Sequence, residues 1–189
     1  TEKALQVLQK KSNLYALHFI RILITSSVDF VSQNYNHIFK ILDTRLHGRI
    51  GRGDLGLGAM ERCVSCIGQL AVKTDNPAFP LNDLLPGCLT FIPAMVMREE
   101  NPYLFSFYFW ASNKVGEDFK EERFQVLARL FSVGPDKMDL MYVREDWIAE
   151  LRTLFVKLAE DIPNWEAICH RECEEDEERL SVIAHWMQV

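Results

Sequence analysis

Cys63-Val-Ser-Cys66 and Cys169-His-Arg-Glu-Cys173 are the residues of this chain best equipped for chemistry. Spacings of three and four residues place each pair on one helical face, so two packed helices could offer four thiolates to a zinc ion. His170 could replace one of these ligands, or pair with Glu174 one turn on. Cys63 and Cys169 also fall on apolar stripes, where cysteine behaves as a small hydrophobe. Buried free thiols are therefore the expectation, with structural zinc as the alternative. A thioredoxin-type CxxC belongs at a helix N-terminus after a strand, where the dipole lowers the thiol pKa. Cys63 instead follows a full helical turn.

The second constellation is "GRGDLG", Gly51 to Gly56, in a region rich in glycine between Gly48 and Gly58. Its glycines fit the spacing of a dinucleotide-binding turn, which requires a strand before it and an acidic residue roughly 20 positions on. The preceding "NHIFKILDTRLHG" has helical periodicity, with Lys40, Asp43 and Arg45 where a buried strand would be apolar. Asp75 falls in a proline-rich loop. The embedded Arg52-Gly53-Asp54 needs a secreted chain to act as an integrin ligand, and the odd cysteine count opposes secretion. What remains is a glycine-rich connection between helices. Its backbone N–H groups, with Arg45, Arg49, Gly51, Arg52 and Gly53, could hold an anion or a partner's carboxylate.

Other catalytic signatures are missing: the chain has no GxSxG, no HExxH and no Walker loop, and its five histidines are dispersed. A net charge of -6 with scattered basic residues gives no face for nucleic acid. The most apolar stretch, Leu14 to Ile24, is interrupted by His18 and Arg21, so no membrane span is expected. The chain begins at Thr1 without a signal-like segment, and its five cysteines fit reduced thiols in a cytoplasm.

Length and composition, 189 residues with 48% hydrophobic and 25% charged, suit a single globular domain over 1–189. Helical spacing of apolar residues predicts a wide-faced helix from Glu2 to about Val31 and a second one capped by Asn34 or Asn36. A third is predicted over Ala59 to Lys73. Pro77, Pro80 and Pro86 then mark an irregular connection. Cys88 to Met97 and Tyr103 to Ala111 are β-branched and aromatic around the turn-like "REENP", the pattern of a β-hairpin. Helices are predicted again from Glu117 to Phe131, from Glu145 to Glu160 and after Asn164, with "MDLMYV" as a short strand. The expected fold is α+β and predominantly helical: about six helices around a small antiparallel sheet containing a hairpin over residues 88–111.

These features point to a non-catalytic protein–protein interaction module, an adaptor or chaperone-like subunit of a larger assembly. In type, a small acidic α+β chain of this kind resembles the cytoplasmic chaperones and adaptors of bacterial secretion systems, a likeness carried by no motif. The expected contact surface is the aromatic strand, with Tyr103, Phe105, Phe107, Phe109 and Trp110; the acidic run from Glu172 to Glu178, containing Glu174, Glu175 and Glu177, reads first as a solvated helix face, with steering of a basic partner as the alternative. The partner is another protein, in an oligomer or a hetero-complex. The alternative is a small enzyme or ligand sensor that uses the Gly48–Gly58 loop or the cysteines.

Overall fold

The computed structural model describes residues 14–47 and 56–188. Nine α-helices are found among these residues: α1 (Leu14–Ser26), α2 (Val28–His47), α3 (Leu57–Thr74), α4 (Leu81–Leu89), α5 (Asn101–Val115), α6 (Lys120–Phe131), α7 (Glu145–Asp161), α8 (Trp165–Glu172) and α9 (Glu177–Gln188). Two 3-10 turns, Arg98–Glu100 and Pro135–Met141, complete the order.

No strand occurs among the described residues, so the α+β expectation is corrected to an all-helical fold. Residues 88–111 form the end of α4, an irregular crossing that includes a cis Ile92–Pro93 bond, the first 3-10 turn and most of α5. The reason lies in what covers α5. Leu104, Phe105, Phe107, Tyr108 and Ala111 are buried at helical spacing along one face, but Tyr103, Phe109 and Trp110 on the other face are aromatic as well, so neither a two-residue nor a 3.6-residue period shows in the sequence. Pro102 in the first turn suits a helix start, because its missing N–H has no intrahelical partner there. Aromatic β propensity is weaker than packing of this face against α3 and α4, and packing decides. The "MDLMYV" strand is likewise replaced, by the second 3-10 turn.

α3 is the hub. Every residue from Glu61 to Ala71 is buried, because α1, α2 and α5 pack around it. Gly68 allows α5 its close approach: a Cβ there would lie 2.6 Å from Phe107 Cβ. In the C-terminal half α6 is the centre, contacted by α7, α8 and α9, and α4 touches both α5 and α6. Phe124, Phe131 and Phe155 stack where α6 meets α7, with ring centroids 4.8 and 5.3 Å apart.

Helix boundaries follow local capping. The first long helix breaks at Ser27, whose Oγ accepts the Phe30 N–H at 3.4 Å. Asn34, expected as a cap, sits inside α2 with its side-chain amide donating to Phe30 O. The "proline loop" contains α4, a nine-residue helix running through Pro86. The last helix is two: Glu174 and Glu175 adopt φ of 55° and 60°, and the Asp176 carboxylate caps α9 by accepting the N–H groups of Glu178 and Arg179. The acidic run is thus a turn as well as a solvated face. No helix among the described residues is long and apolar enough to cross a membrane.

Candidate interaction site

Glu61 and Arg62, neighbours near the start of α3, are 1% and 6% exposed. Two charges cannot leave water at that depth without partners. Glu61 finds them in the backbone of the crossing segment: its carboxylate accepts the N–H of Met95 at 2.7 Å, of Val96 at 3.1 Å and of Met97 at 2.7 Å. Arg62 donates from Nε to Glu100 at 2.6 Å and from Nη2 to Glu99 at 2.9 Å. Glu100 is fully buried and also faces Arg21 of α1, whose Nε is 3.2 Å away. The Arg21 guanidinium lies 4.2 Å above the Tyr103 ring, which adds a cation–π contact.

The same crossing is held from the other side. Asn101, also fully buried, accepts the Ala94 N–H at 2.6 Å and donates to the carbonyls of Ala94 and Met141. Arg129 of α6 donates to Leu89 O and Ile92 O and pairs with Glu172 of α8 at 3.0 Å.

This scaffolding presents an apolar tip. Met95 is 44% exposed and Val96 59%, although their backbone amides are bound within. Beside the tip opens a cleft of 610 Å³ between the crossing, the second 3-10 turn and α9. Met95 and the 56% exposed Leu140 form its apolar walls together with Val133, Met141 and Val182. Arg98, Lys137 and Arg179 line it against Asp136 and Glu178, a cationic excess on a chain of net charge -6. A rigid apolar knob beside a cationic cleft can seat a segment that carries an apolar anchor and a carboxylate.

The residues singled out in the sequence fall elsewhere. Arg49, Gly51, Arg52 and Gly53 lie outside the described residues. Arg45, on α2, is buried. Phe105 and Phe107 are core side chains of α5, so the aromatic run is not an exposed strand. Tyr103, Phe109 and Trp110 are half-buried; Trp110 Nε1–H donates to Asp75 at 3.0 Å, and Phe109 meets Trp147 edge-on. Glu174, Glu175 and Glu177 are exposed, and Glu175 is 2.8 Å from His170 Nδ1.

All five cysteines are free and buried. Cys63 and Cys66 direct their thiols at the carbonyls of Leu42 and Leu17. Cys169 and Cys173 sit at the end of α8, and no group of three or more His, Cys, Asp or Glu among the described residues is arranged to hold a metal ion. Burial pushes the thiols of Cys63, Cys88 and Cys169 up to about 12, and raises Cys66 and Cys173 as well. A thiol so shifted is a poor nucleophile at neutral pH.

Sequence reasoning missed the Glu61 network entirely. Its one visible signal was "REEN" next to an apolar segment, and that pattern is equally common in exposed turns. No family model, curated protein or solved structure matches this chain.

Proposed function

We propose that the protein is a non-catalytic protein–protein interaction module, an adaptor or chaperone-like subunit of a larger assembly, and that it docks through the Met95–Val96 tip and the adjoining cleft. The observation that carries this reading is the pairing of two exposed apolar side chains with a backbone fixed by a buried carboxylate. Such a tip enters an interface with little ordering left to do, and pre-organisation of this kind favours binding. The partner segment is acidic with an apolar anchor, matching Arg98, Lys137 and Arg179. Five unpaired thiols suit a reducing compartment, and we place the protein in the cytoplasm on that ground.

A photo-crosslinking residue at position 96 tests this in native extract, with exposed Glu121 as the control position. A discrete adduct from position 96, lost in the Met95→Asp variant and weakened by salt, is the expected outcome. Equal labelling from both positions, or an adduct indifferent to Met95→Asp in a protein of unchanged melting temperature, refutes the docking surface.

A further inference from the structure

A second cleft, between α5, α6 and α7, is lined by a buried cation, Arg123. Arg123 of α6 is 6% exposed, and no carboxylate among the described residues forms an ion pair with it. Its Nη1 donates to the Gly116 carbonyl at 2.6 Å, while Nε is buried without an acceptor. The Tyr108 hydroxyl, nearby, donates to the Arg123 carbonyl at 3.2 Å. Burial pushes that phenol up, so it stays neutral and supplies no negative charge. Ser112 Oγ lies beside it, buried and without a well-aligned hydrogen bond.

Two neutral groups hold the guanidinium: the Gly116 carbonyl accepts from Nη1, and the Tyr108 hydroxyl is in hydrogen-bonding contact with the side chain. Neither is charged, so a neutral donor would serve both as well. A buried, unpaired guanidinium is otherwise among the costlier arrangements a fold can keep. The charge finds its use if a negative group enters from the cleft.

The cleft has room for one. Its volume is 330 Å³, at the small end of the ligand-pocket range of about 300–1,000 Å³. Lys157 stands on its wall as a second cation, with Asn113 and Thr153 as neutral hydrogen-bonding groups and Glu150 as the one carboxylate. Phe109 and Leu154 make the rest apolar. Two cations against one carboxylate match a single negative charge and disfavour a dianion. The planar guanidinium fork matches a carboxylate.

We infer that this cleft binds a small monocarboxylate with a short apolar tail, its carboxylate on Arg123 and Lys157 and its tail between Phe109 and Leu154. No residue of this cleft lines the one beside Met95, so the inference stands apart from the docking surface.

Titration of the full chain with 4-methylpentanoate, followed by calorimetry and ligand-observed NMR, tests it. Its uncharged amide and inorganic phosphate serve as comparison probes. The acid should saturate the protein and bind at least about tenfold tighter than either comparison probe, as a charge-assisted bidentate contact implies. Lys157→Glu, a change at an exposed position, should weaken the acid by at least about tenfold without altering the fold, because it reverses a charge at the site. Arg123→Lys keeps the charge but loses the fork, and should weaken it too. Absence of saturation up to about 10 mM acid overturns the assignment. So does amide or phosphate binding as tight as the acid, or acid binding unchanged in Lys157→Glu.

Discussion

Replacing Glu61 by Gln should release the crossing segment while leaving the helices in place. The carboxylate accepts three backbone N–H groups, two at 2.7 Å and one at 3.1 Å. Hydrogen bonds to a charged group contribute about 1.5–3 kcal/mol each, so the three would sum to roughly 4.5–9 kcal/mol if all were lost without replacement. Two corrections reduce this. Met95 and Val96 are exposed, so water reaches their amides once the segment lifts, and the Gln carbonyl still accepts one N–H. The expected loss is about 2–4 kcal/mol. With a urea m-value near 2.5 kcal/mol per molar, the unfolding midpoint falls by about 1–1.5 M. Hydrogen exchange should quicken most in a peptide spanning 92–100 and least in α7. Docking through position 96 should weaken along with it, since the tip loses its fixed backbone. A midpoint shift below about 0.2 M with unchanged exchange would show that Glu61 does not hold this segment.

Three further outcomes follow from the packing and from the thiols. Gly68→Ala should destabilise by about 1–3 kcal/mol in urea unfolding although alanine is the better helix former, because its Cβ would press on Phe107 at 2.6 Å. Arg129→Ala strips the donors from Leu89 O and Ile92 O and leaves Glu172 without its partner on α6; a loss of about 2–4 kcal/mol is expected, and a loss under about 0.5 kcal/mol would contradict the assigned bonds. The thiols make stability fall at alkaline pH. Cys63 is pushed from 9.0 up to about 12 by burial, so the unfolded chain releases its proton first. Its contribution is complete below pH 9 and is lost as pH climbs toward 12. Urea midpoints measured from pH 8 to 11 should decline, less steeply in Cys63→Ala, and alkylation at pH 8 should label the cysteines only after unfolding.

Helices with one wet face were readable from periodicity. Lys120–Phe131 and Glu145–Asp161 lie close to their expected ranges, because polar residues recur on their outer sides. α5 was not readable. Tyr103, Ser106, Phe109, Trp110 and Asn113 lie along its outer side, and three of these five are aromatic. The proline rule also misled at α4, where a nine-residue helix carries Pro86. Of the cysteines, Cys63, Cys66 and Cys169 lie on helices as expected, whereas Cys173 falls just past the end of α8 and Cys88, expected on a strand, lies on α4; nothing in their spacing told where their partners would be.

The amino-acid order by itself determined which segments are amphipathic helices, because that pattern is carried by neighbours three and four residues apart. It also determined the charge balance and the odd count of five cysteines. Only the tertiary structure decided which charges are internal. Glu61, Arg62 and Glu100 read as ordinary surface residues, and they become buried because α1, α3 and a turn 38 positions from Arg62 converge on them. Packing likewise decided the fate of the aromatic run, since which face of α5 is buried against α3 is a property of the partner helix and leaves no local trace where both faces are aromatic.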